Sequence, residues 1–441
     1  MSVLLLAPAS LAGLGVAIAI FHRPAIGAAL ILAVVNFEGS VEVAGVSAVK
    51  LLSALCGGIL LLRVVVAKSK IKVDLTTWFI ALFLTWVAIT VFWNPDTTGF
   101  SSDLISLCLQ AMMYVLIINL VRSKEDLKLA LWGYVIGGTV LAIILGETMV
   151  VGNFRRSTDM EVAGLGLNLA ARMVGLNLLL ALTLLHLHRR SLPRLVLIGA
   201  AVVSGVSSVL ALSRGNWYAL TVSFGALVFV LSFKKGLVSS MKQGLLVAAV
   251  ASIAMFSAGT FLLSDYGLAK LEERFESAYT FSDRASGRFD IWETVLVPFL
   301  EKPFVGHGFN SFRRVNEWGH EGAHNSFVLI AVEDGLIGVV LFLLVLGSVV
   351  YPLWITLRND DSNAVTLGWG VALFVFLATV SVVDSSVNRK YLWFVLGLIS
   401  LLVHFYGKQP TPEVAETAPS GADRPGGDRV YAGGGAMLPS R

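Results

Sequence analysis

Arg214 in LSRGNW, Arg288 in SGRFDIW and His324 in HNSFVLIAVEDGLIG sit where apolar sequence gives way to polar sequence. An imidazole titrates near pH ~6.5, so His324 has the chemistry to take a proton from a hydroxyl. A guanidinium stays charged and presents a fork that fits phosphate oxygens, the compensation a departing diphosphate needs. Each assignment has a plainer rival: an interfacial histidine making one hydrogen bond, or arginines in salt bridges and lipid headgroup contacts.

Further candidates flank these three. Arg155 and Arg156 in GNFRRSTD are weaker candidates for the same anion. Trp292 is a candidate for stacking on a sugar, although tryptophan also belts membrane interfaces, as Trp217 and Trp318 would here. Asn325 follows the histidine directly, and Glu333 and Asp334 come about three turns later. Buried carboxylates there imply either an orienting role or a structural pair. Gly335 and Gly338 lie eleven and fourteen positions after His324. On a regular helix of 3.6 residues per turn they share its face and admit a close neighbour.

The elements that must position these groups are apolar helices. The chain has 441 residues, 56% hydrophobic and 14% charged, against about a quarter charged in a soluble domain. Apolar runs fall near 2–21, 24–37, 48–67, 76–93, 104–121, 129–150, 168–187, 195–212, 217–233, 245–263, 326–357, 364–383 and 391–406. The expected class is an all-α polytopic membrane protein with about 12–13 transmembrane helices. The net charge of +4 comes mostly from one set of loops and implies no nucleic-acid partner. Arg23, Arg63, Lys68, Lys70, Lys72, Arg122, Lys124, Lys128, Arg189, Arg190, Arg194, Lys234, Lys235, Lys242 and Arg358 define that set, which the positive-inside rule puts in the cytoplasm. Two places on the other side break the asymmetry, Arg155 with Arg156, and Arg214.

The expected organisation is a transmembrane domain over 1–406, with one long outer loop at 264–323, and a disordered cytoplasmic tail over 407–441, rich in proline and glycine. Within the loop, Ser286 is placed to cap an amphipathic helix reaching about Leu300, whose apolar face is Phe289, Trp292, Leu296 and Phe299. Cys56 and Cys108 lie in or beside apolar segments and imply no disulfide framework. The loop lacks zinc-site spacing, and the chain has neither a P-loop nor a G-x-S-x-G elbow, so neither a metal nor a cofactor is expected. An outward site has no ready supply of ATP, so synthesis there draws on an activated donor.

Taken together these features resemble the O-antigen ligase and polymerase superfamily of bacterial membrane glycosyltransferases. HNSFVLIAVEDGLIG fits its histidine pattern, SGRFDIWETVLVPFLEKPFVGHGFNSF its loop signature, and LSRGNW its Ser-Arg element. The resemblance implies a GT-C-like, metal-independent, inverting glycosyl transfer at the periplasmic face of the bacterial inner membrane. Its partners would be a glycan on undecaprenyl diphosphate, a glycan or lipid A-core acceptor, and membrane lipids. Arg214 and Arg288 would hold the diphosphate and His324 would deprotonate the acceptor. Arg155, Arg156, Trp292, Asn325 and Glu333 complete the expected substrate site. Ligase and polymerase remain equally open. Protein O-oligosaccharyltransferase is a third reading, and a polysaccharide transporter or flippase is the rival from another class. The unequal loops and the absence of an obvious repeat argue against transport.

Overall fold

The structure is a computed structural model that describes residues 3–43, 45–94, 97–152, 160–188, 190–262, 288–316 and 322–407. Of the expectations above, Arg155, Arg156, Arg189, the loop residues 264–287 with Ser286, Trp318 and the tail from 408 lie outside these residues. The compact unit runs from Met1 to Gly407.

The described chain is helical apart from two antiparallel hairpins of two-residue strands, Glu42–Val43 with Val46–Ser47 and Glu161–Val162 with Leu165–Gly166. Nine helices among the described residues are long and apolar enough to cross a membrane, and shorter apolar helices add Gly13–His22, Ala25–Phe37 and Lys390–Tyr406. Apolar content does not track burial in them. In the Ala48–Ala67 and Leu75–Phe92 helices only 22% and 28% of the most apolar window is buried, against 89% in Leu167–Leu187. An apolar surface turned outward suits a hydrocarbon solvent, which marks a multi-pass membrane protein.

Local sequence explains where the helices begin. Ser47, Asp74 and Ser123 each accept a hydrogen bond from the backbone amide three residues on, satisfying a donor that the first helical turn leaves open. Asp74 also accepts from the Tyr114 hydroxyl at 2.6 Å, tying two spans together. The core gathers around the helices Leu167–Leu187, Ala364–Val383 and Lys390–Tyr406, where Trp369, Trp393, Phe376 and Phe394 are fully buried.

The spans expected at 217–233 and 245–263 fall within one helical run, Arg214–Leu262. That run does not extend straight. A methyl group on Gly244 would stand 3.9 Å from Val228 Cγ2, whereas residues sixteen apart in a straight helix are about 24 Å apart. The run therefore reverses between Val228 and Gly244. Lys234, in this stretch, donates to the Arg358 carbonyl at 2.7 Å and pairs with Asp361 at 2.9 Å. This is the basic end of the bundle.

Two sequence expectations are corrected. The loop helix is not one amphipathic stripe but two short helices, Arg288–Thr294 and Leu296–Glu301. Pro298 has no N–H for the Thr294 carbonyl, so the helix restarts and the proline falls in a new first turn. Ile291 and Val295 point inward, while Leu296, Val297 and Leu300 are each more than half exposed. The second correction concerns the helix after His324, which runs from Ser326 to Asn359 but breaks at Gly335, where φ is 68° and ψ −171°. His324 precedes this helix instead of opening it, so the shared face drawn from His324 to Gly335 and Gly338 does not exist.

Candidate active site

The break at Gly335 releases backbone groups inside the bundle, and the loop after the two short helices satisfies them. Leu336 N–H donates to the Pro303 carbonyl at 2.8 Å, and Ile337 N–H to the Phe304 carbonyl at 3.2 Å. In return the Val332 carbonyl accepts from His307 N–H and the Glu333 carbonyl from Gly308 N–H, at 2.9 and 2.7 Å. The Trp86 indole donates to the Asp334 carbonyl at 2.9 Å. Without water in hydrocarbon, each of these groups must find a protein partner. The close approach needs glycine on both sides: a side chain on Gly335 would run into the Phe304 carbonyl, and one on Gly306 into that of Glu333. What approaches the glycines is thus a loop and not the neighbouring helix expected from sequence.

The loop continues as a lid on the end of the Leu75–Ile89 helix. Phe309 N–H donates to Thr90 Oγ1 at 2.9 Å, and Asn94 Nδ2 donates to the Phe309 carbonyl at 2.6 Å. Glu333 Oε1 then accepts from Phe312 N–H at 3.1 Å, which sets the short helix Phe312–Val315 and with it Arg313.

His324 is held from both sides in the chain. Before it, the Trp292 indole donates to the carbonyl of buried Ala323 at 2.9 Å. After it, Asn325 Oδ1 accepts from Phe327 N–H and Val328 N–H at 2.8 and 3.2 Å, capping the helix. Ser326 Oγ donates to the Asp384 carbonyl at 3.0 Å and accepts from Val387 N–H at 3.2 Å. His324 itself sits at φ 48°, a strained region for a residue with a side chain, and its side chain is exposed.

The turn that holds Ser326 is anchored from within the bundle. Arg172, on the almost wholly buried Leu167–Leu187 helix, pairs with Asp384 at 2.5 Å. The neighbouring Lys390 pairs with Glu38, from the turn after the Ala25–Val34 helix. Gly215, next to Arg214, packs toward Val383, one residue before Asp384.

These elements enclose a cavity of about 700 Å³ at the end of the bundle away from Lys234 and Arg358. His324, Arg313 and Arg389 line it together with Asp103, Glu333 and Asp384. Its size falls among small-molecule sites, about 300–1,000 Å³. Two guanidinium groups and an imidazole on one cavity lining provide charge for an anion and an acceptor for a proton.

The sequence candidates distribute unevenly. His324 and Glu333 line the cavity. Arg214 is half-buried at the start of its helix, next to Gly215, which packs toward Val383, and is not among the lining residues. Arg288 opens its short helix, and Ile291 in the same helix reaches the cavity wall. Trp292 and Asn325 serve as anchors of the histidine segment, the first through its N–H and the second through its cap; neither lines the cavity. Sequence reading missed Arg172, Arg313, Asp384 and Arg389. Arg172 was legible as a lone charge inside an apolar span, which by default marks function. Arg389 and Lys390 were legible as a third basic site on the lysine-poor side, in VDSSVNRKY.

Residues 199–343 match a family model described as O-antigen ligase. The matched segment takes in Arg214, Arg288, Arg313 and His324, and supports the superfamily resemblance carried by the motifs. A Haemophilus influenzae protein described only as an uncharacterized protein is similar at 23% identity over 188 residues, 37% of this chain. The chain spans 44% of the length of that relative.

Proposed function

We propose that this multi-pass membrane protein, carrying a segment of the O-antigen ligase family, moves a glycan from a polyprenyl diphosphate donor to an acceptor hydroxyl on the periplasmic side of the bacterial inner membrane. The observation that carries the reading is one cavity lined by His324, Arg313 and Arg389. The donor's anomeric carbon is bonded to a diphosphate oxygen. As that bond lengthens, negative charge grows on the diphosphate, and the guanidinium groups stabilise it more in the transition state than in the ground state. Arg214 and Arg288 are further candidates for the same anion. His324 takes the acceptor's proton as the acceptor oxygen attacks the opposite face of the anomeric carbon. A glycosidic bond forms with inversion, polyprenyl diphosphate leaves, and the imidazolium returns its proton to solvent or product.

The cavity's lying opposite the basic end supports an outward position for it. The test is transfer by the purified full chain in lipid nanodiscs. The donor is the undecaprenyl diphosphate glycan that accumulates in cells deleted for the gene, and the acceptors are lipid A-core and the donor's own repeat unit. Product on lipid A-core identifies a ligase, and lengthened lipid-linked repeats identify a polymerase. Transfer undiminished in His324→Ala would refute the reading.

A further inference from the structure

The cavity is lined by groups of both charges, and the glycan-transfer reading uses the imidazole and the cations. His324, Arg313 and Arg389 are part of that lining. The Phe100–Leu120 helix adds Asp103, Ser106 and Gln110, which all line the cavity. Their spacing of three and then four residues puts them on one helical face. Glu333 adds a second carboxylate from the kinked helix.

Contacts among these groups leave hydrogen-bonding capacity unused. Asp103 Oδ2 accepts from Asn310 Nδ2 at 2.6 Å, which fixes the carboxylate and leaves its second oxygen available. Gln110 Nε2 reaches Ser106 Oγ at 3.3 Å, while its Oε1 is buried with no hydrogen-bond partner among the described residues. If the amide is flipped, its other end is left in the same position. Ser385, which also lines the cavity, has a buried Oγ with no partner among the described residues either. Buried polar atoms are normally satisfied, so unfilled ones on residues that line a cavity point to water or to a ligand rich in hydrogen bonds.

We infer that the Asp103–Ser106–Gln110 face binds the terminal sugar ring of the acceptor, as a neutral pyranoside, and turns one of its hydroxyls toward His324. This rests on the glycan-transfer reading. Carboxylate and amide groups suit vicinal hydroxyls, each of which donates one hydrogen bond and accepts others. The Asp103 carboxylate repels a diphosphate, so the donor's leaving group belongs at the guanidinium groups of Arg313 and Arg389. It also repels an acidic sugar, which makes charge a selection rule as well as a contact.

The test uses the full chain in nanodiscs and saturation-transfer NMR. The probes are methyl glucoside, methyl galactoside, methyl mannoside, methyl N-acetylglucosaminide and methyl glucuronide, with inorganic diphosphate binding measured separately. At least one neutral glycoside takes up saturation and the glucuronide does not. Asp103→Asn and Gln110→Ala each weaken that glycoside by roughly tenfold or more, while inorganic diphosphate binding is retained. Wild type that saturates no neutral glycoside, or variants that saturate it as well as wild type, overturn the inference. Should Asp103→Asn fail to fold, Ser106→Ala combined with Gln110→Ala decides. Glycan transfer surviving in His324→Ala sinks the catalytic reading. Transfer lost in that variant, with sugar binding untouched by the wall substitutions, sinks the sugar site alone.

Discussion

Leu336 N–H donates to the Pro303 carbonyl at 2.8 Å across the break that Gly335 makes in the histidine helix. This bond replaces one the helix would have made internally, and it inserts a loop segment among the spans. It also explains why Glu333, just before the break, faces the cavity lined by Arg313 and His324.

Gly335→Ala tests that junction. At φ 68° a side chain is strained, and it would meet the Phe304 carbonyl. The expected loss of stability is about 2–4 kcal/mol, read as a lowered unfolding temperature of the purified protein. Gly347→Ala, whose added methyl meets nothing within 4 Å, leaves that temperature nearly unchanged.

His324→Ala and His324→Gln should each lose at least ~100-fold in transfer rate, the usual scale of general-base removal. Donor affinity should be nearly kept, because the imidazole acts on the acceptor's proton. A large fall in donor affinity at unchanged turnover would assign His324 to donor binding instead.

Arg389→Ala and Arg313→Ala should each lower transfer by about 10–100-fold. Lysine at either position should recover only part of it, because a point charge does not reproduce the guanidinium fork. Full recovery by lysine would show that net charge alone is needed.

Trp292→Phe separates two roles for one side chain. Phenylalanine keeps the ring face and loses the N–H that Ala323 accepts. If the residue anchors the histidine segment, turnover and stability both fall, the latter by about 1 kcal/mol. If it stacks on sugar, the variant keeps turnover.

Arg172→Met should destabilise the protein strongly, by roughly 3–5 kcal/mol, since it leaves the Asp384 carboxylate buried without its cation. Pairing it with Asp384→Leu should recover much of the loss in unfolding temperature, although not the transfer activity that depends on the Asp384 turn holding Ser326.

The sequence by itself determined the class and the apolar spans, and it singled out the residues on which the proposed chemistry rests. Apolar runs as long as the hydrocarbon is thick, and lysines and arginines concentrated in alternate turns, are one-dimensional signals that a bilayer imposes on any chain crossing it. His324 and the outer arginines stood out for the same reason, as polar groups where such a chain ordinarily has few. Tertiary structure decided which of those groups meet. Arg313, Arg389 and Asp103 come from distant turns, and their convergence with His324 depends on a break at Gly335 that a regular helical period cannot foretell. The break exists because a loop distant in the chain supplies the missing hydrogen bonds. Asn325 and Trp292 became anchors for the same kind of reason: a side chain's role is set by the backbone groups it finds within reach, and those are known only once the chain is folded.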